Sequence, residues 1–144
     1  MTFPDDAIDY RAHPEQYRVG RGEVGVFHVH PYKDELLPLW TIRTPDLALA
    51  ASEAIFARYR AYRAAGDFVG MDMARKYLQM GYTRARRYAN HKGGRKRNPD
   101  GTAVPDGSGD PVKAEIAALY RVRWREIADD PAYQHAKAEH QRKG

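Results

Sequence analysis

Four helix-start signals constrain the fold of this chain more than any other feature of its sequence. They are Thr44-Pro45, Gly66-Asp67, Asp110-Pro111 and Asp130-Pro131. A capping side chain accepts a hydrogen bond from the first helical amides, and proline fits the first helical position. Glycine commonly ends a helix. The signals therefore predict helices over about 45–65 and 67–91, a third that starts at 111, and a fourth from 131 to about 142.

The first two helices are predicted to form an antiparallel hairpin, because only a short turn at Gly66 joins them. In the second helix an apolar face runs from Met71 to Ala89, and we expect it to be buried. The opposite face, which we expect to be exposed, carries Asp72, Lys76, Gln79, Thr83, Arg86, Arg87 and Asn90. Gly81 in mid-helix costs about 1 kcal/mol relative to alanine, which predicts a tight crossing with another helix.

Residues 17–43 predict a small antiparallel sheet. The strand-forming residues of 17–19 and 26–30 flank Gly20, Gly22 and Gly25, a pattern typical of a hairpin, and 39–43 is a third strand candidate. The predicted fold class is therefore α+β and mainly helical. The sheet would pack on the helical hairpin, and two C-terminal helices would close the core.

The chain of 144 residues suits one domain, which we place at 17–144, after an N-terminal arm over 1–16. A flexible basic loop is predicted over 93–110, where five glycines and two prolines occur. The absence of cysteine excludes disulfides, thiolate nucleophiles and cysteine zinc sites. Because no apolar run reaches membrane length and the acidic N-terminus lacks a secretory pattern, we expect a cytoplasmic protein that does not enter a membrane.

Positive charge is concentrated in one stretch of the chain. Nine lysines and arginines lie between Asp72 and Asp100 without an acidic residue among them, although the whole chain has a net charge of only +5. Such a run attracts polyanions, which makes nucleic acid the expected partner. The residues predicted to contact it are Arg84, Arg86, Arg87, Tyr88, His91, Lys92, Arg95, Lys96 and Arg97. A solvated helix face, with the tyrosines in the core, is the alternative interpretation.

Two further motifs favour ordinary structural roles. Residues 20–25 match the pattern G-x-G-x-x-G, but a strand rather than a helix is expected to follow, so a glycine-rich turn is the preferred interpretation. His28 and His30 would lie on one face of a strand, as two metal ligands can, but no third ligand is indicated. No metal and no cofactor are therefore predicted, and these histidines remain only candidates.

Carboxylates give little support for catalysis. Asp34, Glu35, Asp67 and Asp72 are the candidates for acid–base chemistry. Asp67 suits a helix cap better, and Asp72 precedes Arg75 and Lys76 at the spacing of a helical ion pair. No serine–histidine signature or nucleophile elbow is present, so an enzyme is less expected than a binding protein.

Four segments together resemble the domain of unknown function 4385 family. They are 17–23 (YRVGRGE), 31–33 (PYK), 66–76 (GDFVGMDMARK) and 84–91 (RARRYANH). The resemblance extends from residue 17 to the last helix, and its long middle segment is distinctive. It implies a bacterial or phage intracellular setting, but no activity and no site residue.

Three functions remain open at this point. The first is a non-enzymatic nucleic-acid-binding protein that contacts the phosphate backbone without strong sequence specificity. The second is a small metal-dependent enzyme that acts on nucleic acid or a nucleotide and uses His28 and His30. The third is an interaction module whose basic surface binds an acidic protein. DNA and RNA are not distinguished, and neither is the oligomeric state.

Overall fold

The computed structural model of the chain describes residues 7–20, 23, 25–91, 99, 101–102 and 109–143. Within these ranges the protein is mainly helical, with two additional 3-10 turns at Pro14–Gln16 and Leu37–Leu39. The α-helices are α1 (Tyr32–Leu36), α2 (Pro45–Ala64), α3 (Phe68–Asn90), α4 (Pro111–Ala128) and α5 (Pro131–Lys143). The long helices α2, α3 and α4 pack against one another, and α5 packs on α3 and α4.

The predicted helix boundaries are confirmed, and each depends on a local hydrogen bond. The side chain of Thr44 accepts from the amide of Leu47 at 3.2 Å. The side chain of Asp67 accepts from the amide of Gly70 at 3.1 Å, directly after Gly66 has ended the hairpin turn with φ +68°. Equivalent bonds reach Asp110 from Val112 at 2.9 Å and Asp130 from Ala132 at 3.0 Å.

The predicted sheet over 17–43 is wrong, since the described part of this segment contains no strand. It folds into turns, α1 and the second 3-10 turn, and the chain's one described β-bridge is an isolated pair between Asp9 and His30. The local amides bond to nearby carbonyls: Val29 donates to Gly25 at 3.1 Å, and Lys33 donates to Val29 at 2.9 Å. The apolar residues that suggested strands are buried singly against the helices instead of forming a ladder.

Helix α3 lies at the centre of the fold. Every residue from Phe68 to Leu78 is buried, so this half of the helix is covered on all sides. Gly81 lets α4 approach closely, because a Cβ atom there would lie 2.3 Å from the ring of Tyr120. The prediction of a tight crossing at Gly81 is therefore confirmed.

The segments that precede α2 complete the core. Tyr10, Tyr17, Val26 and Val29 are buried with the helical residues. The described residues of the predicted N-terminal arm, 7–16, thus include a core tyrosine. Among the described ranges, no helix combines the length and the apolar character that a bilayer crossing requires.

Candidate functional site

The polar residues of α3 divide into a buried group and an exposed group. Asp72 and Lys76 are almost completely buried, and Arg75 retains 9% of its surface. The prediction that Asp72 and Lys76 lie on an exposed face is therefore wrong. The segment around Tyr17 and helix α5 cover this face of α3, which periodicity within one helix does not reveal.

Asp72 is the centre of the buried group. Its carboxylate accepts hydrogen bonds from the hydroxyl of Tyr17, from the hydroxyl of Tyr133 at 2.6 Å and from Nε of Arg75 at 2.8 Å. Nζ of Lys76 lies 3.9 Å from Oδ2 and 5.0 Å from the centre of the Tyr17 ring. The sequence-based prediction of helical ion pairs at this spacing is confirmed, but the pairs lie in the core.

Burial and charge oppose each other at these groups. Burial by itself would raise the pKa of Asp72, but the Arg75 charge and the bonds from Arg75, Tyr133 and Tyr17 outweigh it and hold the pKa below its usual range. Burial lowers the pKa of the Lys76 ammonium to about 8, although the nearby Asp72 carboxylate opposes this effect. The cluster connects the N-terminal segment, α3 and α5, so its first role is structural.

Other carboxylates considered for catalysis are also held in structural contacts. Glu35 accepts from Arg11 at 2.7 Å and from the Tyr62 hydroxyl at 2.6 Å. The hydrogen bond from Arg11 is the main reason that the pKa of Glu35 lies below its usual range. Asp67 accepts from the Tyr32 hydroxyl at 2.6 Å while it caps α3. These hydrogen bonds give both carboxylates a structural role, so their positions can be explained without a catalytic one.

The histidine pair does not have the predicted geometry, because His28 and His30 are not on a strand. Nδ1 of His30 lies 3.3 Å from the Asp34 carboxylate, a helical-type pair four residues apart. Across the described ranges, no group of three or more His, Asp or Glu side chains suits a metal ion. In the G-x-G-x-x-G motif, Arg21, Gly22 and Val24 lie outside the described residues, and Gly25 takes a turn conformation with φ +92°.

The exposed group occupies the last two turns of α3. Arg84, Arg86, Arg87 and Tyr88 are exposed, and His91 is half-buried. None of the three arginines forms an ion pair with a described carboxylate, and Arg84 lies over the ring of Phe27 at 5.8 Å. The remaining predicted contacts, Lys92, Arg95, Lys96 and Arg97, lie outside the described residues, as does most of the predicted loop over 93–110.

Helix geometry separates these exposed residues into two directions. With 3.6 residues per turn, Arg84, Arg87, Tyr88 and His91 share one side of α3, and Arg86 lies across the buried face from them. The structure therefore brings four of the predicted residues together on one side. Arg86 belongs to a different surface.

Tyr88 also lines a shallow pocket of about 370 Å³. Trp40, Arg43 and Lys113 are among its other lining residues. Nζ of Lys113 donates to the carbonyls of Ile42 and Arg43, and the latter bond measures 3.3 Å. Arg43 is exposed and forms no ion pair with a described residue. None of these three lining residues could be predicted from the sequence, since no local pattern relates them to Tyr88.

The start of α4 is positioned against the end of α3 by backbone contact. The amide of Asp110 donates to the carbonyl of Tyr88 at 3.0 Å. A Cβ atom at Gly109 would lie only 2.0 Å from the same oxygen, so only glycine fits this approach. This contact brings Lys113 towards Tyr88 and places two aromatic rings and several cations in one region.

Comparison with known proteins gives a family and no function. The family model described as Domain of unknown function (DUF4385) matches residues 1–143. No curated protein and no solved structure matches the chain. Because the match covers nearly the whole sequence, it confirms the resemblance seen in the four segments: the chain belongs to the domain of unknown function 4385 family.

Proposed function

We propose that the protein binds nucleic acid through the exposed end of α3, without strong sequence specificity. The observation that carries this proposal is the side of α3 that bears Arg84, Arg87 and Tyr88. Its two arginines have no described carboxylate partner, and Tyr88 is 41% exposed. The basic residues Lys92, Arg95, Lys96 and Arg97 follow directly in the sequence.

The pocket at Tyr88 favours a single strand over a duplex. An aromatic ring flanked by cations can stack on a base while the cations neutralise adjacent phosphates. Arg43 lines the pocket with Tyr88, and Arg84 lies one turn before Tyr88 on the same side of α3, so both can supply such charges. Base pairs in a duplex already stack on one another and expose only their edges, so they would leave Tyr88 without a stacking partner.

Fluorescence anisotropy with a labelled single-stranded oligonucleotide at several salt concentrations tests the proposal. Each phosphate contact contributes about 0.7 to the slope of log affinity against log salt. The double variant Arg84→Ala/Arg87→Ala should therefore reduce the slope by about 1.4. Arg60→Ala is the matched control. Arg60 is an exposed arginine of α2, about 22 Å along the helix axis from the start of α2, which lies next to Arg43.

Binding that ignores salt, or that survives the double variant unchanged, would remove the proposal. An acidic protein is the competing partner, and a pull-down that resists nuclease treatment but is lost in the double variant would favour it. The proposal includes a cytoplasmic location in a bacterial or phage setting, where nucleic acid is accessible. No observation in the described residues favours the metal-dependent enzyme over binding.

A further inference from the structure

A second cavity lies between α3, α5 and the end of α4. Its volume is about 730 Å³, within the range of small-molecule sites. Two cations, Arg75 and Lys137, line it together with Gln79, Gln134 and Gln141, and no described carboxylate lines it. Apolar groups, including the ring of Trp124, complete the wall. The lining therefore combines positive charge and amide groups with a surface that suits an organic ligand.

Arg75 is held rigidly at the cavity wall. Its Nε donates to Asp72 at 2.8 Å, and one terminal nitrogen donates to the amide oxygen of Gln79 at 2.8 Å. Because Asp72 is buried beneath the wall and also accepts from Tyr133, the arginine is fixed on two sides. A cation whose position is set before binding loses little conformational freedom when a ligand arrives.

Several hydrogen-bond donors of the cavity are not used inside the described part of the chain. Lys137 is half-buried and forms no ion pair there. Gln141 forms no side-chain hydrogen bond there, and Gln79 uses only its amide oxygen. An ammonium group and two amide NH₂ groups thus remain as donors around one volume.

The electrostatic balance of the cavity is positive. Asp72 carries one negative charge behind the wall, and Arg75 and Lys76 both lie against it. Lys137 adds a further positive charge from the opposite helix. A ligand with two negative charges and several acceptor oxygens would match this arrangement better than a neutral molecule.

We propose that this cavity binds a phosphomonoester group, with Arg75, Gln79, Lys137 and Gln141 around the phosphate and Trp124 against the attached organic group. A phosphate has three terminal oxygens, which can accept from several donors at once. The group can come from a free small molecule or from the 5′ end of a nucleic acid strand. The chemistry at the cavity is the same in both cases.

The inference does not rest on the proposed function. Arg75 and Tyr88 lie about 20 Å apart along α3 and point to different sides of it. If the Arg84 and Arg87 variants do not change the salt dependence of binding, the proposal for the cavity is unaffected. Loss of phosphomonoester binding likewise leaves the exposed end of α3 unaffected, so the two results are distinguishable.

Isothermal titration calorimetry of the full chain with inorganic phosphate, a nucleoside 5′-monophosphate and the parent nucleoside tests the proposal. The monophosphate should bind, and the nucleoside should bind at least about tenfold more weakly. Lys137→Gln should weaken the monophosphate about tenfold. Lys143→Gln is the matched control, because it removes the same charge from the same helix outside this cavity, and it should change nothing.

A second variant keeps the test decisive if Lys137→Gln does not fold. Gln141→Glu changes an exposed residue, adds a negative charge to the wall and should also weaken the monophosphate about tenfold. The proposal is overturned if nucleoside and monophosphate bind equally, if neither phosphate compound binds, or if a folded Lys137 or Gln141 variant binds like the original chain.

The source of the phosphate is then identified with oligonucleotides. Tighter binding of a 5′-phosphorylated strand than of its unphosphorylated form, lost in Lys137→Gln, supports the proposal and indicates a strand end. Binding of the free monophosphate at least as tight as that of the phosphorylated strand supports it and indicates a small molecule.

Discussion

The hydroxyl of Tyr133 in α5 donates a 2.6 Å hydrogen bond to the buried carboxylate of Asp72 in α3. Tyr133→Phe should therefore reduce the free energy of unfolding by about 1–3 kcal/mol, since the buried carboxylate loses one of its hydrogen-bond donors. Urea denaturation measures the change. Tyr88→Phe is the control: its hydroxyl has no described partner, and a loss as large as that of Tyr133→Phe would contradict the explanation.

Removal of the Asp72 charge should have a larger effect. Asp72→Asn leaves Arg75 and Lys76 buried without their counter-charge, and breaking such a buried pair costs about 3–5 kcal/mol. Thermal and urea unfolding would show this loss. Glu126→Gln breaks the exposed pair with Arg123 and should cost less than about 1 kcal/mol. Similar costs for both variants would mean that Asp72 does not hold the two cations.

The lowered pKa of Lys76 predicts that the free energy of unfolding increases with pH in the mildly alkaline range. Burial lowers its pKa from 10.5 to about 8, so between these values the unfolded chain holds a proton that the folded chain has lost. The free energy of unfolding should then rise with pH, by at most about 1.4 kcal/mol per pH unit. Urea denaturation at several pH values from 7.5 to about 8.5 stays well below the range in which tyrosines ionise.

The control for this pH effect is Lys76→Met, which removes the titrating group and preserves much of the apolar chain. Its free energy of unfolding should stay nearly constant over the same pH range. A rise of equal size in the variant would assign the effect to another group.

Gly81→Ala should destabilise the protein, although alanine is the better helix former by about 1 kcal/mol. The new Cβ atom would lie 2.3 Å from the Tyr120 ring, and relief of such a clash typically costs about 1–3 kcal/mol. Thermal unfolding checks the sign. Non-additive effects of Gly81→Ala and Tyr120→Leu would confirm that the two sites are in contact, and strict additivity would exclude it.

Tyr88 and Arg87 should affect nucleic-acid binding in different ways. Tyr88→Ala should weaken binding of a single strand by about 1–3 kcal/mol with little change in the salt slope, because stacking releases no counterions. Arg87→Ala should reduce the slope by about 0.7. Anisotropy titrations at matched salt concentrations separate these effects. A change of slope for Tyr88→Ala would indicate a disturbed surface instead of lost stacking.

The helix boundaries could be predicted from sequence because their causes are local. Thr44, Asp67, Asp110 and Asp130 each accept a hydrogen bond from a residue two or three positions later. Gly66 fits its positive φ for an equally local reason. The sheet prediction failed because strand-forming residues make a sheet only when a partner strand lies beside them, and a local sequence pattern does not show this. The hydroxyl of Tyr17 instead donates a hydrogen bond to Asp72, which lies 55 residues away in the sequence.

The site was only partly predictable for the same reason. The exposure of Arg86 and Arg87 follows from the helical pattern and is confirmed by the structure. The burial of Lys76 depends on Tyr17 and on α5, which lie far away in the sequence. Arg43 and Lys113 are also far from Tyr88 in the sequence, so their positions beside it could not be predicted. A charge pattern identifies a basic segment, but the chain that covers it decides which charges reach solvent.

The bond between the Asp110 amide and the Tyr88 carbonyl fixes where the intervening chain departs and where it returns. Tyr88 and Asp110, which flank residues 92–108 in the sequence, thus lie side by side, and α3 also contacts α4 directly. Homologues could therefore lengthen or shorten it at small cost to folding, because closure of a longer loop adds little entropy loss. Variation in its length would adjust the reach of its basic side chains separately from the helical core.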